Sequence, residues 1–335
     1  MKNPILTIGI TSYKRINELI RCIKSIQTKY VDEIEILISE DHSPLSNEIK
    51  QVVTEMAKNS EYNIRFSTNA INLGYDMNLG VIIKNANGKY IFYMSDDDAI
   101  YGNFLDNLIP FLRKEEKAGV LYAPCIYENS GKKDRIRSKS DFRIFPNKKN
   151  ASKYIYDAIL FSGLIFRKDY VTNFDASRFK NYNYFQIYLF LQMLLKYGGY
   201  YFAQPSVLCI GDGENAYGLS ESSGGNPLLA NRKSVKSNLE FHKTLIKTIQ
   251  TFDKDEETNI MASFMWQYSL RSISGLAIAR KEGKQYFQEY WAMLNSLDIH
   301  LYPIAKCYYF LLLILGTDIT NAILYPFKKL IKRGN

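Results

Sequence analysis

The chain has 335 residues, and 43 Lys and Arg against 34 Asp and Glu give a formal charge of +9 and a pI near 9.1. That balance favours anionic partners, whether nucleic acid, nucleotide phosphates or an acidic lipid surface, without choosing among them. Cys22, Cys125, Cys209 and Cys307 stand in no paired or finger-like spacing, which argues against a disulfide framework or a structural zinc site and fits a reducing cytoplasm.

Met1-Lys2-Asn3-Pro4 leads straight into an apolar run, without the charged leader and long apolar core of a secretory signal, so the protein is expected to stay where it is made. Ile5 to Thr11 reads as a buried strand and Ser12-Tyr13-Lys14-Arg15 as the turn after it. Ile16, Leu19, Ile20, Ile23 and Ile26 then recur at helical spacing. A second apolar run, Ile34 to Ile38, ends in Ser39-Glu40-Asp41-His42-Ser43-Pro44; Asn47 is expected to cap the helix that follows, and Asn63 to Thr68 to form a third strand. Strands alternating with helices at this spacing imply parallel pairing with right-handed crossovers. The glycines of Asn72-Leu73-Gly74 and Asn78-Leu79-Gly80 are too spread for a phosphate-cradling loop, and no G-x-G-x-x-G follows the first strand, so dinucleotide-binding and kinase readings lose support.

Lys89 to Asp98 is an apolar, aromatic run that delivers three consecutive carboxylates, Asp96, Asp97 and Asp98. In an open α/β sheet, ligands bind at the carboxyl ends of strands. Acids held together there raise one another's pKa unless a cation sits among them. A hard divalent ion carrying substrate phosphates suits the arrangement, and so does a solvated acidic turn capping the next helix; the run alone leaves both open.

Further along, Phe104 to Leu112 predicts a helix stopped by Gly119, Val120 to Ala123 a strand, and the Lys- and Arg-rich stretch Asn129 to Asp141 a solvated loop. Ser162 to Arg167 predicts another strand, Asn181 to Tyr197 a helix, and Tyr200 to Ile210 a strand that opens into a Gly, Ser and Asn loop, Gly211 to Asn226, a candidate lid. From about Ser234 the pattern is wholly helical, which divides the chain into residues 1–225 and a C-terminal helical region, 226–335. The apolar run Tyr308 to Leu315 is shorter than the ~20 residues of a spanning helix. With Lys328, Lys329, Lys332 and Arg333 behind it, it reads as an interfacial anchor on anionic lipid, against the alternative of a core helix with a basic tail.

Four of these pieces, in this order, resemble the family 2 glycosyltransferases of the GT-A fold: Ile8-Gly9-Ile10-Thr11-Ser12-Tyr13-Lys14-Arg15, Ser39-Glu40-Asp41-His42-Ser43, Asn72-Leu73-Gly74 with Asn78, and Gly88 to Asp98 with its DXD-type acids. The resemblance covers roughly residues 5 to 215 and is nearest to bacterial members that build O-antigen and capsule polysaccharides. It implies an α/β fold with a mixed, mostly parallel Rossmann-like sheet and flanking helices, followed by the helical region. It implies an inverting, metal-assisted transfer of a sugar from a nucleotide diphosphate sugar to a saccharide acceptor, a lipid-linked one, at the cytoplasmic face of the membrane.

Residue by residue, the resemblance puts Thr11, Tyr13 and Arg15 around the base and ribose, and Asp41 as a hydrogen-bond acceptor for the base. Asn72 and Asn78 join the donor site, Asp96 lies by the ribose and diphosphate, and Asp97, with Asp98 as a second ligand or supporting partner, takes manganese or magnesium. Two departures stand out. Family members carry a Glu-Asp pair, whose Asp is the general base, where this chain has Tyr184-Phe185-Gln186, so Asp98, Asp175 and Gln186 are the catalytic candidates. Ser95 replaces the first DXD acid, and none of His42, His242 and His300 falls in the lid to complete a metal site. The missing base motivates a second reading, a catalytically impaired subunit that binds sugar nucleotide or glycan beside an active partner. A nucleic-acid partner is not expected, because strand-end acids repel phosphates unless a metal intervenes. The helical region can serve a peripheral membrane contact or an oligomer interface.

Overall fold

Leu6, Ile8 and Ile10 on one face of the first strand have no exposed surface, and Thr7 on the other has none either. Burial on both faces explains why the strand reads as a continuous apolar run rather than an alternating one. The computed structural model describes residues 4–212, 235–297 and 299–333. It forms two compact units, Met1–Ala230 and Asn231–Asn335. The expected boundary at 225/226, and the candidate lid beyond Asp212, lie outside the described residues.

The first unit begins β1 (Leu6–Ser12), α1 (Ile16–Ser25), β2 (Ile34–Glu40), α2 (Ser46–Lys58), β3 (Asn63–Thr68), α3 (Tyr75–Asn85), β4 (Tyr90–Ser95), β5 (Ala99–Ile100) and α4 (Phe104–Leu112). It continues with β6 (Val120–Tyr122), β7 (Cys125–Tyr127), β8 (Lys133–Asp134), β9 (Phe142–Ile144), α5 (Lys148–Lys153), β10 (Ile165–Arg167), α6 (Lys168–Val171), α7 (Phe185–Lys196), β11 (Gly199–Tyr201) and β12 (Val207–Cys209). The main sheet runs β3-β2-β1-β4-β10-β6-β11-β9, and a second, small sheet runs β5-β12-β7-β8. In the main sheet β3, β2, β1 and β4 are parallel, and β10 is antiparallel to both of its neighbours, β4 and β6. This is the mixed, mostly parallel sheet of the GT-A arrangement that the sequence resemblance implies.

Register is pinned at the sheet end remote from the acids. There the Thr7 hydroxyl donates to buried Glu35 at 2.9 Å and accepts the Gly88 N–H at 2.8 Å, while Asn87 and Arg65 close on the same carboxylate. With this knot in place, the other ends of β1, β2 and β4 arrive in step: Thr11 pairs with Ser39 on one side and Ser95 on the other.

Several local expectations are corrected. Asn47 lies inside α2, which starts at Ser46 after Leu45 without a side-chain cap. The helix α4 ends at Leu112; Gly119 instead leads into β6, where a Cβ would press on Tyr197 and Met193 at 3.0 and 3.1 Å. The basic stretch 129–141 is largely exposed, as a solvated loop would be, but it carries the short strand β8 and two of its arginines find internal partners. Arg135 is buried and donates to the Ser162 carbonyl at 2.8 Å and to the Leu160 carbonyl, and Arg137 makes a two-pronged ion pair with buried Asp157 at 2.8 Å. The strand expected over 200–210 is two strands in two different sheets, split around Pro205, whose missing N–H cannot extend a ladder.

The second unit is helical: α8 (Val235–Asp255), α9 (Ile260–Glu282), α10 (Lys284–Ser296) and α11 (Pro303–Arg333). Gly275 of α9 gives room for the Tyr290 hydroxyl of α10, which would meet an added Cβ at 2.4 Å. Burial pushes His242 down to about 4, and its Nδ1 pairs with the Tyr268 hydroxyl at 2.8 Å. The apolar segment of α11 is longer than expected: Pro303–Leu324 spans 22 residues at a mean hydropathy of 1.6, long and apolar enough to cross a membrane by length and composition. Gly316, at φ 72°, interrupts the helix within it. Phe310, Ile314, Ile319 and Ile323 stand 45–76% exposed along it.

Candidate functional site

The parallel strands β1, β2 and β4 deliver their carboxyl ends to one edge of the sheet, where backbone turns carry the polar residues. At the end of β4, Asp96 is 3% exposed; one oxygen accepts the Tyr13 N–H at 3.2 Å and the other the Arg15 guanidinium at 2.9 Å. The same guanidinium nitrogen lies 2.9 Å from Asp97, whose second oxygen accepts the Ser95 hydroxyl. Lys14, with φ at 65°, makes the tight turn that brings Tyr13 and Arg15 back over the acids. Burial pushes Asp96 up to about 7, opposed by Arg15 and reinforced by Asp97. Asp97 is the more accessible acid, with 15% of its side chain exposed.

Asp98 looks elsewhere. Its carboxyl meets the Ser162 hydroxyl and the Ile210 N–H; burial dominates and lifts it to about 7 against those bonds. Ser162, fully buried ahead of β10, also accepts the Ser95 N–H at 3.0 Å, so one hydroxyl ties the acid strand to Asp98. Arg21 of α1 reaches the same turn, donating to the Asp97 carbonyl at 3.2 Å and gripping both oxygens of Asp212 at 2.7 and 2.6 Å.

At the end of β2, Asp41 accepts three bonds at 2.8 Å, from the Asn69 amide and the Leu73 and Gly74 N–H groups; burial nevertheless leaves it above the ordinary carboxylate value. Asn72 accepts from the Gly74 N–H at 3.1 Å. Asn78, on α3, uses its whole amide inward: its oxygen accepts from Ser39 and Asn69, and its nitrogen donates to the Ser39 carbonyl at 3.0 Å. Asp41, Asn72 and Asn78 therefore shape the 69–74 turn beside the acids, while Thr11 lies between Ser39 and Ser95 in the sheet.

The three sequence-derived catalytic candidates sit in different surroundings. Asp175 is exposed and caps the short turn behind it by accepting the Ser177 N–H at 2.9 Å. Gln186 is 1% exposed; its nitrogen donates to the Ile159 carbonyl at 3.0 Å and its oxygen has no hydrogen-bond partner. Asp98 alone of the three belongs to the acid cluster. Sequence reasoning passed over Arg21, Arg135, Ser162 and Asp76. Asp76, on α3, accepts the N–H groups of Asn183 and Phe185 at the start of α7, and burial raises it to about 7. The buried-side position of Asp76 in the helix pattern was a readable signal; Ser162 offered none.

Among the described residues no group of three or more His, Cys, Asp or Glu is placed to hold a metal ion. The carboxylates of Asp96 and Asp97 are nonetheless the oxygen chemistry a hard divalent ion takes. They fit an ion that draws its remaining ligands from a phosphate-bearing partner, and both now hold Arg15.

A family model described as "Glycosyl transferase family 2" matches residues 7–176, half of the chain. A GalNAc(5)-diNAcBac-PP-undecaprenol beta-1,3-glucosyltransferase of Campylobacter jejuni is 26% identical over 150 residues, 42% of this chain and 47% of that protein, so the match spans about half of that relative. Abequosyltransferase RfbV of Salmonella typhimurium is 24% identical over 233 residues, 63% of this chain and 68% of that one. Among solved structures, residues 1–349 of S. aureus TarS with UDP-GlcNAc superpose at a TM-score of 0.53 and 15% identity, covering 87% of this chain and 90% of that one. Mannosyltransferase PcManGT from Pyrobaculum calidifontis, with GDP-Man and Mn2+, gives 0.53 at 14% identity, covering 98% and 89%. At such identities the structural likeness speaks for the fold.

Proposed function

The chain belongs to glycosyl transferase family 2, and from that premise we propose that it moves a sugar from a nucleotide diphosphate sugar to a saccharide acceptor in bacterial surface polysaccharide synthesis. The observation that carries the reading is the convergence of Tyr13, Arg15, Asp96 and Asp97 at the carboxyl ends of β1 and β4, beside the turn that Asp41 organises. Asp41, Tyr13 and Thr11 would face the base and ribose, and Asp96 and Arg15 the ribose and diphosphate. The acceptor class, a lipid-linked saccharide, is supported by the undecaprenol-linked substrate in the Campylobacter relative's name. The exposed apolar residues of α11 and the basic carboxyl end support work at the cytoplasmic membrane face.

The transfer is a single displacement with inversion. As the diphosphate leaves, negative charge grows on its oxygens and must be met by fixed positive charge. Arg15 stands at the acids to supply part of it. A divalent ion held by Asp97 with Asp96 would add Lewis-acid stabilisation of the same oxygens. Asp98 is the proposed proton acceptor for the attacking hydroxyl among the three candidates, because it is the one joined to the acid cluster through Ser95 and Ser162.

Incubation with a panel of nucleotide sugars, with and without manganese, tests the reading through donor hydrolysis and product sugar. Turnover of at least one donor is expected; none turned over under either condition would overturn it. Asp97→Ala should abolish metal-dependent nucleotide binding by calorimetry. The Gln186 amide, in the segment where the resemblance would lead one to look for the family's base, motivates one competing reading, an impaired binding subunit. Nucleotide binding without turnover on any acceptor would select it.

A further inference from the structure

Every carboxylate oxygen of Asp96 and Asp97 already has a partner, and one nitrogen serves both acids. Arg15 Nη1 lies 2.9 Å from Asp96 Oδ1 and 2.9 Å from Asp97 Oδ2. Asp96 Oδ2 accepts the Tyr13 N–H and Asp97 Oδ1 the Ser95 hydroxyl. Resting on the donor-site reading above, we propose that Arg15 is the resident counter-cation of this acid pair, and that a divalent ion gains Asp97 only in exchange for it, when a nucleoside diphosphate is present to receive the guanidinium.

Three features argue for exchange rather than simple addition. A divalent ion approaching Asp97 meets a guanidinium on the oxygen it needs, and two cations on one oxygen repel. The described residues offer no third His, Cys, Asp or Glu to compensate. A nucleoside diphosphate removes both obstacles, since its oxygens complete the ion's coordination and offer the planar guanidinium a two-pronged partner. The guanidinium is the solvent-facing member of the pair: 17% of the Arg15 side chain is exposed, against 4% for Asp96. The acid pair would then never face solvent uncompensated, with Arg15 holding it before the donor arrives.

The test is Mn2+ binding to the full chain at pH 8, followed by the electron paramagnetic resonance of free Mn2+, with no nucleotide and with UDP, GDP, dTDP or CMP in turn. Wild type is expected to bind Mn2+ weakly alone and about tenfold or more tightly with its nucleotide. Arg15→Ala should gain about tenfold in nucleotide-free Mn2+ affinity, a gain that Asp97→Ala in the same chain removes, while Arg15→Lys, which keeps a cation, should stay near wild type. Circular dichroism and the thermal midpoint show that each variant is folded. Unchanged nucleotide-free affinity in folded Arg15→Ala, or wild type binding Mn2+ equally well alone, would overturn the exchange. Absence of binding to all four nucleotides would instead count against the donor-site reading, and the nucleotide-free comparison would still decide the role of Arg15.

Discussion

Asp76 and Phe185 are 109 positions apart in the chain and are joined by a 3.0 Å hydrogen bond, the carboxylate of α3 accepting the first N–H of α7. The other oxygen of Asp76 takes the Asn183 N–H at 2.7 Å. Asn181 and Asn183 are both left-handed, at φ 67° and 64°, a conformation Asn tolerates better than other residues with a Cβ. The turn that opens α7 is therefore held from α3, and Tyr184-Phe185-Gln186 inherits its position from that hold.

Asp76→Ala should destabilise the first unit, because the buried Phe185 N–H loses its acceptor at ~1–3 kcal/mol and the part-buried Asn183 N–H at less. A urea titration measures this as a lower midpoint with an unchanged slope. A midpoint equal to wild type would show that the turn stands without Asp76.

Burial raises Asp76, Asp96 and Asp98 from the ordinary 3.8 to about 7. Between those values the native state holds more protons than the unfolded chain, so stability from these groups is fullest below 3.8 and is lost as pH rises through 7. Asp98→Asn removes one contributor. Its stability should fall less steeply than that of wild type between pH 4 and 7, read from denaturation midpoints across that range; parallel curves would refute the shift.

Gly80 of α3 sits where an added Cβ would come within 2.4 Å of the Ala176 Cβ. Neither atom has a free torsion to swing away, so Gly80→Ala must push α3 from the 176–179 turn, at a cost of ~1–3 kcal/mol of overpacking. Thermal denaturation should show a lower midpoint, and Ala176→Gly in the same chain should restore part of it.

The exposed apolar side chains of α11 give a vesicle prediction. Wild type should sediment with phosphatidylglycerol vesicles and less with phosphatidylcholine, and Phe310→Ser with Ile314→Ser should weaken that binding while the thermal midpoint holds, since both residues are more than half exposed. Equal binding of the double variant would remove α11 from the contact.

The parallel half of the main sheet was legible because strands buried on both faces write themselves as uninterrupted apolar runs, and β1, β2 and β4 do so. The acids after β4 were legible for the opposite reason, as charges in a place where folding gains nothing from them. Arg135 and Arg137 were misread because a basic stretch looks the same whether its partners are water or, as here, Asp157 and the carbonyls of Leu160 and Ser162. Ser162 was invisible since its importance comes from pairing across 67 positions with Ser95, which no local pattern encodes. The apolar length of α11 was underestimated because Gly316 and the polar Thr317 and Asp318 divide it in sequence.

The reversed direction of β10 bears on how such a protein can change. A strand entering antiparallel beside β4 must begin at the edge where β4 ends, so the segment leading into it, with Ser162, touches the acids from outside the parallel core. β6 and β10 belong to the same core as β1 to β4, with Leu121 and Ile165 fully buried, so it is the loops between them, rather than the strands, that reach the acids without carrying the ladder. A change of length in such a loop would alter what borders the acids and leave the sheet as it is.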